Sequence, residues 1–142
     1  MEENFQKAVE FVLDREGGYI CDPLDPGGET NFGISKRSNP NVDIKNLTRE
    51  GAIAIYKVKY WDAMKCSGLP WPVDVCLFDT AVNQGCTFAG EMYAKFGDVV
   101  ADILFARIKR YSEIVKKRPT SSKYLRGWIN RVINLYEFMK GG

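Results

Sequence analysis

The chain has 142 residues, 45% hydrophobic and 27% charged, with a formal net charge of +2. This is the size and balance of one globular domain, not of a disordered or fibrous chain. It contains no histidine, which excludes a Ser-His-Asp triad, a Cys-His dyad and a histidine metal site. Acid–base chemistry near neutral pH therefore falls to carboxylates, Lys, Tyr or Cys.

Apolar periodicity predicts the elements in chain order. Phe5, Ala8, Val9, Val12 and Leu13 recur at helical spacing, giving an amphipathic helix over 4–15 that Gly17-Gly18 is expected to stop through left-handed backbone. Residues 20–33, rich in Pro and Gly, read as a turn-rich loop or short hairpin, and a brief helical turn over 34–38 is closed by Asn39-Pro40. Thr48 is the expected N-cap of a helix reaching about Asp62, with Ile53, Tyr56 and Tyr60 at helical spacing. Gly68, Pro70 and Pro72 break the chain, and 73–84 is apolar enough to be a buried helix. Residues 85–97 fit no single pattern. A helix over 98–117 carries Val100, Ile103, Leu104, Ile108, Tyr111 and Val115 on one stripe, Pro119 punctuates, and 124–139 is the last helix, through Leu125, Trp128, Ile129, Val132 and Tyr136.

The expected fold is mainly α, a single domain over 1–142 with a short loop or hairpin after the first helix. The stretch 99–106 is interrupted by Asp102, so no stable membrane insertion is expected. The acidic N-terminus lacks the basic and apolar regions of a signal peptide. Cys21, Cys66, Cys76 and Cys86 form no C-x-x-C pair and are expected as small reduced side chains, with no metal and no cofactor.

Charge is unevenly spread. The first ninety residues hold nine basic and thirteen acidic side chains, the last fifty-two hold eleven and five. Arg107, Lys109, Arg110, Lys116, Lys117, Arg118, Arg126 and Arg131, around Trp128, form a basic face suited to a polyanionic partner. The mixed signs and modest net charge argue against nucleic acid, and none is expected as a partner.

The chemistry-bearing stretch is 14–33. Glu16 ends the first helix and precedes a loop with Asp22, Asp25 and Glu29. The negative end of the helix dipole, and partial burial against Tyr19, would favour its protonated form. A second carboxylate in a polar loop would stay ionised. Two such carboxyls across a cleft are what glycoside hydrolysis needs. Asp25, followed by Pro26-Gly27-Gly28, leads as the second carboxylate, with Asp22 in reserve. Thr30 and Asn31 are candidates to position water or sugar hydroxyls. Trp61 is the candidate to stack on a sugar ring, while Tyr56 is expected in the core. Asn83 and Gln84 either bond an N-acetyl group or cap their helix. Asp79, among apolar neighbours, needs a structural partner.

REGGY at Arg15–Tyr19 and DPLDPGGETNFGIS at Asp22–Ser35 resemble the signature of the glycoside hydrolase family 108 N-acetylmuramidases, lysozyme-like enzymes of phage endolysins and bacterial secretion activators. IYKVKYWD at Ile55–Asp62, FDTAVNQG at Phe78–Gly85 and YLRGWINRV at Tyr124–Val132 extend the resemblance nearly end to end. It implies a lysozyme-like domain whose portion 1–90 is catalytic and whose C-terminal helices over 91–142 resemble a peptidoglycan-binding segment. It further implies hydrolysis of the β-1,4 bond between N-acetylmuramic acid and N-acetylglucosamine. In that reading Glu16 is the general acid, Asp25 assists, and Tyr19, Asp22, Thr30, Asn31, Trp61 and Asn83 contact the glycan. The segment 85–97 departs from the pattern, being shortened where relatives continue with a longer helix and loop. The alternative is a peptidoglycan-binding accessory protein that aids secretion without catalysis. Either would be made in the bacterial cytoplasm, with a monomer as the default and the oligomeric state left open, and reach the wall by a holin-like or dedicated export route.

Overall fold

The computed structural model describes residues 2–24 and 27–141. Six α-helices run through it: α1 (Glu2–Arg15), α2 (Arg49–Tyr56), α3 (Val73–Gln84), α4 (Cys86–Phe96), α5 (Val100–Lys117) and α6 (Ser122–Gly141). Three short antiparallel strands in the order β1 (Ile20–Cys21), β2 (Glu29–Asn31) and β3 (Ile34–Ser35) stand between α1 and α2. Among the described residues no helix is long and apolar enough to cross a membrane.

α3 is the axis of the core. Every residue from Val73 to Ala81 is buried, because α1, α4, α5 and α6 pack around it. That explains a sequence apolar on all sides, not on one stripe. Each large side chain sealed there contributes about 1.5–3 kcal/mol relative to exposure. Asn4 on α1 donates through Nδ2 to Asp74 Oδ2 at 2.8 Å, pinning the first helix to the start of the axis.

Thr48 caps α2 as expected, its hydroxyl accepting from Gly51 N at 3.0 Å, an arrangement worth about 1 kcal/mol. The helix then widens into a π-helical turn over Lys57–Asp62. Trp61 on this turn faces inward and is fully buried. Its ring lies 5.4 Å from Phe5 and 5.5 Å from Phe78, and its Nε1 donates to Ser67 Oγ at 2.9 Å. Trp61 is thus a core residue, not a sugar platform.

Other expectations are corrected nearby. Gly17 and Gly18 do not take left-handed backbone. α1 is ended instead by a tight turn, Glu16 N to Leu13 O at 3.3 Å, and by Gly17 O accepting from Phe32 N at 3.2 Å, which draws the chain into the sheet. Residues Ile34–Ser35 are a strand and not the start of a helical turn, because Asn31 and Ile34 pair across the tight β2–β3 turn. The segment 85–97, ambiguous by periodicity, is helix α4. Of the cysteines, Cys66 and Cys76 are buried, Cys86 is half-buried and Cys21 is exposed.

Candidate active site

Glu16 occupies the first position after α1, where the chain turns toward the sheet. The β2–β3 connection brings Phe32 and Gly33 against it, both with positive φ, 54° and 76°, the requirement of a two-residue hairpin of this hand. Gly33 meets a second demand. A Cβ there would lie 2.7 Å from Cδ and Oε2 of Glu16 and 2.7 Å from the Tyr56 hydroxyl oxygen. Tyr56 in turn donates to Phe32 O at 2.6 Å, so α2 clamps the hairpin that walls the carboxylate. Burial, helped by the negative charge of Glu16, pushes the Tyr56 hydroxyl well above its ordinary range, so it stays a neutral donor. Gly33→Ala should leave the helical signal in circular dichroism unchanged and lower turnover about a hundredfold, the cost of misplacing a reacting group by about 1 Å.

Opposite the hairpin stands a cation. Arg131 of α6 donates from Nη1 to Glu16 Oε1 at 3.1 Å and from Nη2 to Asp79 Oδ1 at 2.9 Å. Asp79, fully buried on α3, also accepts from Arg107 Nη1 of α5 at 2.9 Å. Arg107, itself 0% exposed, reaches Thr80 Oγ1 at 3.4 Å, Asn83 Oδ1 at 3.3 Å and the Tyr111 hydroxyl at 3.3 Å, and that hydroxyl donates to Asn83 Oδ1. Burial alone would raise the Asp79 carboxyl, but Arg131 and Arg107 outweigh it and hold the carboxyl below its usual range. Burial likewise opposes the charge of both guanidiniums, and Asp79 more than restores it. A single chain of charge thus runs Glu16–Arg131–Asp79–Arg107 across α1, α6, α3 and α5.

Glu16 opens into a cleft of about 180 Å³ between β3, the turn after it, α2 and the end of α3. Ser35, Ser38, Asn39, Lys59, Tyr60 and Val82 line it along with Gly33 and Tyr56. Glu16 is its only acidic side chain among the described residues. The volume is below the roughly 300 Å³ of a small-ligand pocket. A larger groove of about 680 Å³ lies between α4 and α5, away from this carboxylate.

The residues expected at the site are redistributed. Asp25 lies outside the described residues. Asp22 is exposed and accepts from Leu24 N at 2.9 Å, closing a local turn. Tyr19 is exposed and donates to Glu29 Oε2 at 2.6 Å, so the group facing Glu16 is Arg131, not Tyr19. Thr30 is half-buried in β2, paired with Ile20 and Ser35, and does not line the cleft. Asn31 is buried, its amide donating to Ile44 O at 3.0 Å, so it braces the loop and does not hold substrate. Asn83 spends its carbonyl oxygen on Arg107 and Tyr111, because it faces α5 while its neighbour Val82 faces the cleft. Arg107 and Arg131 leave the expected basic face for the interior. Arg107 was detectable as an arginine on the apolar stripe of α5, between Ile103, Leu104 and Tyr111. Nothing in the local pattern pairs Arg131 with Glu16, 115 residues away.

Residues 9–85, more than half of the chain, match glycosyl hydrolase 108. The chain belongs to glycosyl hydrolase family 108. Residues 92–133 of this family member match a predicted peptidoglycan domain. A solved structure of SagA from Brucella abortus superposes with a TM-score of 0.80 at 26% identity, over 99% of this chain and 96% of that one. No curated protein sequence matches the chain. The family-108 chain is thus a glycoside hydrolase of lysozyme-like fold with a peptidoglycan-related function.

Proposed function

We propose that the chain is an N-acetylmuramidase that hydrolyses the β-1,4 bond between N-acetylmuramic acid and N-acetylglucosamine, with Glu16 as general acid. The observation that carries this reading is that Glu16 is the one acidic side chain of the cleft among the described residues, gripped on one oxygen by Arg131. The second oxygen, Oε2, has no hydrogen-bond partner among the described residues and lies beside the Gly33 backbone. It is the oxygen from which a proton would pass to the glycosidic oxygen. Once the proton has left, the carboxylate remains paired with a cation at 3.1 Å, which stabilises the charge that step creates.

The same proposal assigns Asp25 as the second carboxylate, with Asp22 in reserve, to activate water or stabilise the oxocarbenium-like transition state. The portion 1–90 is then the catalytic part and 91–142 the wall-binding part of one unit. Action on the wall follows export from the cytoplasm, as an endolysin or a secretion activator. The test is to digest purified peptidoglycan, reduce the products with borohydride and identify the reduced sugar by mass spectrometry. Muramitol ends support the reading; glucosaminitol ends make the enzyme a glucosaminidase, and a wall that releases no soluble fragments at all makes it a non-catalytic wall-binding accessory.

A further inference from the structure

The groove between α4 and α5 is built unlike a surface that merely solvates itself. α4 contributes Glu91 and Lys95 and α5 contributes Asp102, Lys109, Arg110 and Glu113, three charges of each sign at helical spacing. Among the described residues no ion pair joins any of the six, although Glu91 with Lys95 and Lys109 with Glu113 stand at the i,i+4 spacing that usually pairs. The floor is apolar. The Arg110 guanidinium lies 4.3 Å from the Phe88 ring centroid, and Phe105 leaves 68% of its surface exposed.

At the inner end sits Gln84, whose side-chain Nε2 and Oε1 are both buried with no hydrogen-bond partner. A primary amide with donor and acceptor both unmet is costly; both atoms are sealed from the groove as the side chain stands, so Gln84 must turn outward to pair with a peptide group, which offers one of each. Val82, Asn83 and Gln84, successive residues at the end of α3, face the cleft, the arginine network and the groove respectively. Val82 and Gln84 point about 200° apart around the last turn of α3, so a substituent branching from a strand in the cleft would pass round the C-terminal end of that helix to reach the groove.

We propose that the α4–α5 groove seats the stem peptide of peptidoglycan, a short peptide bearing free carboxylates and a free amine, while its glycan lies in the Glu16 cleft. The occupant is specified by unpaired charges of both signs, by the orphaned amide, and by the overlap of α5 and the last five residues of α4 with the stretch matched to a predicted peptidoglycan domain. The assignment rests on the muramidase reading for its substrate but is tested without catalysis.

The probe is the tetrapeptide L-Ala-γ-D-Glu-diaminopimelate-D-Ala, titrated into Glu16→Gln protein and followed by amide and side-chain NMR shifts. Shifts should centre on Gln84, Phe88 and Phe105. The double variant Lys95→Glu with Lys109→Glu should weaken binding about tenfold. Lys116→Glu with Lys117→Glu, the same change in net charge on exposed residues outside the groove, should leave it unchanged. The proposal is overturned if the peptide shifts only the cleft, if both double variants weaken binding equally, or if the groove shifts depend on protein concentration alone and so report a second copy of the chain. Failure of the muramidase reading appears separately, as the wrong reducing end released by the unaltered protein.

Discussion

Glu16→Gln should fold as the unaltered protein does and lose about 10²–10⁴-fold in the release of reducing ends from peptidoglycan, the range of a lost general acid. The fold survives because Glu16 is only half-buried, with 24% of its side chain exposed, and because a glutamine oxygen can still accept from Arg131. What disappears is the transferable proton. Thermal unfolding of the variant within a few degrees of the parent, together with loss of lysis, isolates the chemical role. A variant that folds and still lyses walls at the parental rate would remove Glu16 from the mechanism.

The largest effect on stability is expected from Asp79→Asn, a loss of about 3–5 kcal/mol measured by urea denaturation. The substitution keeps the shape of the side chain and deletes the one anion facing Arg107, which has no exposed surface. A buried guanidinium without a counterion is far more costly than the pair. Arg131 would keep only Glu16, so α6 should also loosen from the cleft and turnover should fall with stability. Joint replacement by Asp79→Leu and Arg107→Met should recover part of the loss, since it removes the unpaired Arg107 charge while leaving Arg131 with Glu16 alone.

The same network sets an acid limit. The Asp79 carboxyl is held below its unfolded value of about 3.9. The stability it contributes is therefore fully present above that value and is lost as pH falls through the depressed folded one. The urea midpoint of the parent should drop as pH falls below about 4, and the Asp79→Leu, Arg107→Met protein should drop less over the same acid range.

Much of this was legible in the chain itself. The apolar run of α3 announced a helix buried on every side, Thr48 announced the start of α2, and the stripes of α5 and α6 announced helices packed on one face. Each of these is a local property, written within a few turns by spacing and capping chemistry. Glu16, placed at the junction of a helix and a turn-rich loop, was legible for the same reason, and Asp79 was legible as a carboxylate in need of a partner.

The identity of that partner was decided only by the tertiary fold. Arg131 reaches Glu16 across 115 residues and Asp79 across 52, and no periodicity reports which helix faces crossing a core will meet. Helical spacing also placed Trp61 near one face of its helix, but the π-helical turn rotated it into the core against Phe5 and Phe78. Asn31 and Asn83 carried side chains suited to a sugar, yet the fold spent both on holding loop and helix in place. Local sequence determined most of the helical segments and set Glu16 at the end of the first. Long-range packing determined which polar groups are consumed inside and which are left facing the cleft, because buried hydrogen-bonding groups must first satisfy one another.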